Sequence, residues 1–364
     1  MSRASLSLKR GRVLAAPDFG LASLSIEGLT GLLNKFQGKR MLVVGDFLVS
    51  RFVEVSARKL AREAPVPAGD YVGETLLPGG AANLANEVAS LGAQVSVIGA
   101  VGEDNYGTWL KEDLARNGVA TDGVVTDKNR PTSLRTWIMV NRLHYLRIDQ
   151  ELRKEVPIAI TKSLAAAAES KIPNVDTVVF SDYDRGVVTS SLISSVVTAA
   201  RKGGKIVVAQ PKDRHYMDYS GVTYVKSNLG EATHATGMAM VNETSLRNMG
   251  VNLMGRLDCK GIVITRGEEG MTVFDREQIT SFPLPFGRKS FFNKVGVRDA
   301  MTGVFSLVVA AGGSITEAAC LSNVAGTVRS EKPRTSTLTV QDLEKKLESM
   351  GDFLNRVSQM PVRR

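Results

Sequence analysis

From Lys39 onward the apolar residues alternate between short β-branched runs and longer stretches of helical period, and this alternation restricts the fold more than any other feature. MLVVG at 41–45, VSVI at 95–98, TVVF at 177–180, IVVA at 206–209, residues 223–225 and IVIT at 262–265 read as short strands buried on both faces. Between them the period predicts helices over 81–91, 106–117, 158–170, 190–201 and 243–257. Strands that alternate with helices build a largely parallel sheet with helices packed on its faces, so the class is α/β. Helices over 299–311, 316–329 and 340–356 then follow without intervening strands and close the C-terminal third.

Two segments break the rhythm. Residues 51–77 contain Pro65, Pro67 and the alternating Tyr71 to Leu76, and residues 132–150 contain Trp137 to Val140 and His144 to Asp149. Both read as antiparallel strands that pair into one small sheet, a lid standing off the main body over Gly79, Gly80 and Asp299. Apolar residues such as Trp137 and Ile138 on that sheet point to a homodimer formed through the lid, because an uncovered apolar sheet invites association. The expected organisation is a basic, partly disordered extension over 1–38, one domain over 39–358 and a disordered tail over 359–364.

Charge argues against a nucleic-acid partner. The 364 residues hold 46 Lys and Arg against 37 Asp and Glu, a formal net charge of +9. Seven of the basic residues lie in 1–40 against Asp18 and Glu27, and Arg356, Arg363 and Arg364 face only Asp352 in the last fourteen positions, so the body carries little of the excess. Aromatic and basic residues do not interleave as nucleic-acid surfaces require. Cys259 and Cys320 are far apart and suit neither a disulfide framework nor a cysteine-rich zinc site. No apolar run reaches the roughly 18 residues of a membrane span. A cytoplasmic enzyme is expected; the basic, acid-poor start is also what an organelle-targeting peptide looks like.

Three motifs carry candidate chemistry. Pro78-Gly79-Gly80-Ala81-Ala82-Asn83 is a diglycine that opens a helix, which permits close ligand approach and leaves N–H groups free, or is simply a turn. Asn228 and Glu231, three apart after a strand, suit either a site that holds water around Mg²⁺ or a helix cap. Gly296-Val297-Arg298-Asp299 precedes an apolar helix, where Asp299 is an N-cap or a catalytic carboxylate. Neither GxGxxG after the first strand nor GxxxxGK[ST] occurs, which excludes the Rossmann and Walker phosphate loops.

In chain order, VVGD at 43–46, EAPVP at 63–67, PGGAANLA at 78–85, SDYDRG at 181–186, QPKD at 210–213, SNLGE at 227–231, TRGEEG at 265–270 and the region of Asp299 resemble the ribokinase-like (PfkB) sugar kinases. The nearest subgroup is that of the D-glycero-β-D-manno-heptose 7-phosphate kinases. The resemblance covers about residues 39–350 and implies a three-layer fold with a mostly parallel central sheet, a small β lid, ATP and Mg²⁺ as cofactors, and a phosphorylated sugar as substrate. It implies that Gly79, Gly80 and Asn83 touch the sugar phosphate and that Arg185 holds its phosphate. Asn228 and Glu231 organise Mg²⁺, and Thr265, Gly267, Gly270 and Asn323 lie along the nucleotide. The same resemblance implies that Asp299 is the base, beside Gly296 and Arg298. The chain departs from the family where Asp-x-Thr-Gly-Ala-Gly-Asp reads Asn293-Lys294-Val295-Gly296-Val297-Arg298-Asp299. Ser50 stands for the sugar-binding Asp, and Gln210 for the Asp of Asp-Pro-Lys. Arg298 is therefore either a phosphate clamp or an obstruction. The losses also fit a second reading, a catalytically impaired member kept as a binding or scaffold subunit.

Overall fold

The computed structural model describes residues 24–285, 295–350 and 353–361. The first half runs α1 (Ile26–Leu33), β1 (Arg40–Gly45), β2 (Phe47–Leu60), β3 (Pro67–Gly80), α2 (Ala81–Ser90), β4 (Gln94–Gly102), α3 (Asn105–Arg116), β5 (Ala120–Asp127), β6 (Ser133–Val140), β7 (Leu143–Gln150) and α4 (Ile158–Lys171). It continues through β8 (Thr177–Ser181), α5 (Ser190–Lys202), β9 (Ile206–Gln210), β10 (Tyr224–Asn228), α6 (Leu229–Thr236), α7 (Glu243–Leu257) and β11 (Gly261–Thr265). The last part is β12 (Met271–Asp275), β13 (Gln278–Phe282), α8 (Val297–Ala310), α9 (Ile315–Glu331), α10 (Val340–Glu348) and β14 (Ser358–Pro361).

Among the described residues ten strands form the main sheet in the order β14-β13-β12-β11-β10-β9-β8-β1-β4-β5. From β11 to β5 all neighbours are parallel, and β12, β13 and β14 add an antiparallel edge. The unbroken apolar run of β1 follows from burial on both faces. Met41 and Val43 enter one core with α1, α2, α8 and α9, while Leu42 and Val44 enter the other with α4, α5 and α7. A strand period of two sends successive side chains to opposite layers. The parallel strands all end on one side, where Gly45, Ser181, Gln210, Asn228 and Thr265 stand at their carboxyl ends. Ligands of open α/β sheets bind there.

The small sheet has the order β3-β2-β6-β7. Its hairpins β2/β3 and β6/β7 are antiparallel as expected, but β2 and β6 pair in parallel, from Leu48↔Ser133 to Val55↔Val140. The reason is connectivity. β2 follows β1 after Asp46 alone and β6 follows β5 closely, so both leave the parallel sheet in one direction and meet side by side. The lid thus begins at Phe47, four residues before the expected boundary. Trp137 stacks on Phe52 with ring centroids 6.4 Å apart and meets His144 edge-on at 4.9 Å, so its own sheet half-buries it. The exposed apolar side chains are instead Leu60, Val66, Tyr71, Val72, Leu143, Tyr145, Leu146 and Ile148. Arg334 ties the lid to the body: its guanidinium lies 4.4 Å from the Phe52 ring centroid and donates to Glu54 at 2.9 Å.

Part of the stretch read as an extension is folded. Ser25 accepts the Gly28 N–H at 3.0 Å and starts α1, whose Leu29, Leu32 and Leu33 are buried in the core. Residues 1–23 lie outside the described residues, as do 362–364 of the expected tail, while Ser358–Pro361 of β14 join the sheet edge. α10 ends at Glu348 rather than near 356, with Ser349 as its C-cap.

A buried ion pair joins the two helices that flank the site. Arg329 of α9 donates through Nε to Glu87 of α2 at 2.7 Å, Glu87 also accepts the Leu338 N–H at 3.0 Å, and both side chains are almost wholly buried. Removing one partner strands the other charge. Arg329→Met is expected to lower stability by about 3–5 kcal/mol, read as the shift in urea midpoint, with Glu87→Gln on the same background recovering part of the loss.

Candidate functional site

The site is assembled around Asp46, the residue between β1 and β2. Its buried carboxylate accepts the backbone N–H groups of Tyr183 at 2.9 Å, Arg185 at 3.2 Å and Val187 at 3.0 Å. Burial, with the neighbouring Asp182, pushes its pKa up to about 6 against the pull of those three donors. The Asp46 carbonyl accepts the Ala81 N–H at 3.0 Å. Gly80 turns there with φ of 60°, and a Cβ on it would stand 2.4 Å from that carbonyl oxygen. Gly80 is therefore required by a positive φ under close backbone approach.

Two cavities open along the carboxyl ends of the strands. The larger, about 480 Å³, is bounded by Ser50, Gly79, Gly80 and Asn83 on one side. From the lid come Arg135, Trp137 and His144, and Tyr183, Gly296, Arg298 and Asp299 complete it. Arg185, expected to hold a sugar phosphate, does not line this cavity. It is buried in an ion pair with Glu151, and Arg135 supplies the cation there, 3.1 Å from Asp149.

Asp299 lies at the back of this cavity, buried, accepting the Asn83 amide at 2.7 Å and the Tyr183 hydroxyl at 2.5 Å. Burial raises its pKa above the ordinary carboxylate value, opposed by those two hydrogen bonds and by Arg298. It is not the N-cap. That position belongs to Gly296, with φ of 77°, and Asp299 is the third residue of α8. A Cβ on Gly296 would come within 3.1 Å of both Arg329 Nη2 and Asn83 Nδ2, so the buried ion pair lies under the turn that presents Asp299.

The smaller cavity, about 330 Å³, has Thr265, Gly267, Gly270 and Asn323 in its wall, with the apolar Leu284 and Met301. Asn323 donates to the Pro283 carbonyl at 2.8 Å. The four residues expected along the nucleotide are thus together, and the apolar side chains suit a flat base. Lys226 also lines this cavity. It is 3% exposed, and its side chain makes no hydrogen bond or ion pair among the described residues. Its burial, then the charge of Arg298, lowers its pKa to about 7.

Arg298 lines both cavities. Its Nη1 donates to Glu231 at 2.6 Å, its Nη2 to the Pro211 carbonyl at 3.1 Å, and its guanidinium lies 5.8 Å from the Tyr183 ring centroid. Glu231 and Asn228 form a capping box on α6: Asn228 Oδ1 accepts the Glu231 N–H at 2.9 Å and Glu231 Oε2 the Asn228 N–H at 3.0 Å. Lys212 Nζ shares Glu231 Oε1 with Arg298, at 2.9 Å. Burial alone would raise the Glu231 pKa, but Arg298, the Asn228 N–H and Lys212 hold it below the ordinary value. Among the described residues no three His, Cys, Asp or Glu side chains cluster to hold a metal ion. The expected Mg²⁺ pair does not fit that role, because two cations already occupy one carboxylate oxygen and a helix cap the other. Asn293 and Lys294 of the departed motif lie outside the described residues.

Sequence reasoning assigned no role to Asp46, Tyr183, Arg135 or Lys226. The first two stand at the carboxyl ends of buried strands, a signal available from the strand pattern. Arg135 needed the lid pairing, and Lys226 looked like an ordinary strand residue.

The pfkB family carbohydrate kinase model matches residues 41–342. The bifunctional protein HldE of Pelobacter propionicus is 32% identical over 317 residues, 87% of this chain and 65% of that protein. The bifunctional protein HldE of Caulobacter vibrioides is 34% identical over 318 residues, 87% and 65% of the two. The chain thus spans about 65% of the length of these curated relatives. In fold it is similar to Arabidopsis thaliana ribokinase, solved with ribose and ATP, with a TM-score of 0.68, 18% identity and coverage of 86% and 99%. Phosphofructokinase-2 of Escherichia coli gives 0.72, 17%, 86% and 100%. Among the described residues no helix is long and apolar enough to cross a membrane.

The unpartnered lysine has a stability signature. Its pKa of about 7 lies below the ordinary 10.5, so the unfolded chain binds this proton more tightly. The burial penalty is fully present below pH 7 and fades as pH rises towards 10.5. Lys226→Met is expected to be more stable than the parent by on the order of a few kcal/mol at pH 6 to 7, the gap narrowing by about pH 10. Thermal melts of both proteins across that range check it.

Proposed function

Because the chain belongs to the pfkB family of carbohydrate kinases, we propose that it transfers the γ-phosphate of ATP to a hydroxyl of a phosphorylated sugar, in the manner of a heptose 7-phosphate kinase. The observation that carries this reading is the shared first turn of α8. Arg298 lines both cavities, and Asp299 faces the larger one while Val297 faces the smaller. An acceptor in the larger cavity and a nucleotide in the smaller would meet at that turn.

In this reading Asn83 and Tyr183 hold the Asp299 carboxylate towards the acceptor. Asp299 takes the proton of the sugar hydroxyl as its oxygen bonds to the γ-phosphorus and the bond to the bridging oxygen breaks, releasing ADP. The chemistry asks the protein mainly for position and charge stabilisation. Arg135 on the lid is the cation placed for a phosphate on the sugar, and Ser50 gives the acceptor a neutral partner in place of the family's Asp. The impaired-scaffold reading gains no support from the family comparison, and the carboxylate, its two orienting donors and both cavities remain in place.

Asp299→Asn is expected to lower turnover by about 10²- to 10⁴-fold while the protein stays folded, since a neutral amide relieves the burial that raises the acid's pKa. The measurement is ADP release with a panel of sugars and sugar 7-phosphates. Unchanged turnover would remove Asp299 as the base, and faster turnover of unphosphorylated sugars would remove the phosphorylated acceptor. The parent's rate should fall on the acid side at a pH above the ordinary carboxylate range.

The homodimer belongs to the same proposal and rests on the exposed Tyr145, Leu146 and Ile148 of β7. The parent should sediment at twice its 39.2 kDa, and Leu146→Asp with Ile148→Asp should sediment as a monomer. A parent monomer at tens of micromolar would end it.

A further inference from the structure

We infer that the phosphate-binding end of the smaller cavity is a fixed-cation site, in which Arg298 and Lys226 take the electrostatic part of a divalent metal and bind a polyphosphate without one. The inference rests on the nucleotide reading of that cavity and goes beyond it by assigning the charge balance.

Three observations carry it. Glu231, the carboxylate expected to gather a metal's waters, has Arg298 and Lys212 on one oxygen and a helix-cap N–H on the other. A divalent ion would have to displace a bidentate-capable guanidinium already at 2.6 Å. Second, Lys226 is buried in the cavity wall without a polar partner among the described residues. Buried charges are normally paired, so an unpartnered ammonium facing a cavity calls for an anion from outside. Third, Arg298 lines both cavities, so a fixed positive charge faces the point where a phosphate held in the smaller cavity would meet an acceptor in the larger. The arginine that departs from the family motif is therefore held away from the turn by Glu231, so it fills the space between the cavities with charge and leaves the approach to Asp299 open.

The test is titration of ATP into the full chain by calorimetry, once with excess EDTA and once with excess Mg²⁺, with thermal melts in parallel. The expected result is that metal-free ATP binds as tightly as Mg-ATP or tighter. Arg298→Met should lose about tenfold or more, roughly 1.4 kcal/mol, in EDTA and less in Mg²⁺, because Glu231 is then freed of one cation. Lys212 and the Asn228 cap still hold Glu231 in that variant, and its melting curve without ligand reports whether it is folded. Tightening of the parent by Mg²⁺ of more than about threefold, well under the 1.4 kcal/mol of a decade, would overturn the fixed-cation site and leave the nucleotide reading standing. Unaltered binding of metal-free ATP by folded Arg298→Met would do the same. Binding of ATP in neither condition would remove both.

Discussion

A single buried carboxylate organises the working end of this molecule. Asp46 follows the central strand β1, and its side chain gathers three N–H groups from the loop after β8 while its carbonyl fixes the turn into α2. Two adjacent parallel strands are thereby locked together where the sheet order splits, β4 to one side of β1 and β8 to the other. The clamp sets Tyr183 beside Asp299 and Gly80 under the lid. It is strained by its own burial and by Asp182 nearby, which is why its pKa rises to about 6. Three charge-assisted hydrogen bonds offset part of that burial, each stronger than a neutral one.

Charge around the α8 turn follows a second logic. Asp299 is held in a buried pocket by two neutral donors, so it remains basic enough to accept a proton. Glu231 is held by two cations and stays ionised. Two carboxylates on different helices thus have opposite environments, which separates a proton-accepting role from a structural one. Arg298 stands between them, paired to one and facing the other.

Much of this was legible in the chain. Six central strands and both lid segments follow from β-branched runs and alternation, because burial on two faces or one leaves a direct imprint on residue order. β5, β12, β13 and β14 were not read: they lie towards the sheet edges, where polar residues such as Thr121, Asp122 and Thr280 interrupt the pattern. The parallel joint between β2 and β6 was illegible for a different reason, since local alternation carries no information on the direction in which two distant hairpins meet. At the site, residue types and chain order brought Gly79, Asn83, Asp299 and the nucleotide-side residues together, yet the partners of Arg185 and Arg298 could not be read. An arginine's reach spans several neighbours, and which carboxylate it chooses is decided by tertiary packing. Glu151 and Glu231 took them.

The short joints at the root of the lid have a mechanical consequence. One residue separates β1 from β2, and none separates β3 from α2. That lone residue is Asp46. A hinge needs a few positions free to change their backbone angles, and here those positions are pinned by the clamp. The lid therefore cannot swing open like a door from its base. Any breathing must come as bending of the long ribbon β2/β3 toward its far end near residues 60–67, where bulges between Glu54/Val55 and Ala57/Lys59 already interrupt the ladder. Access to the larger cavity is then governed by how far a twisted ribbon curls, with its geometry at the reacting end unchanged throughout.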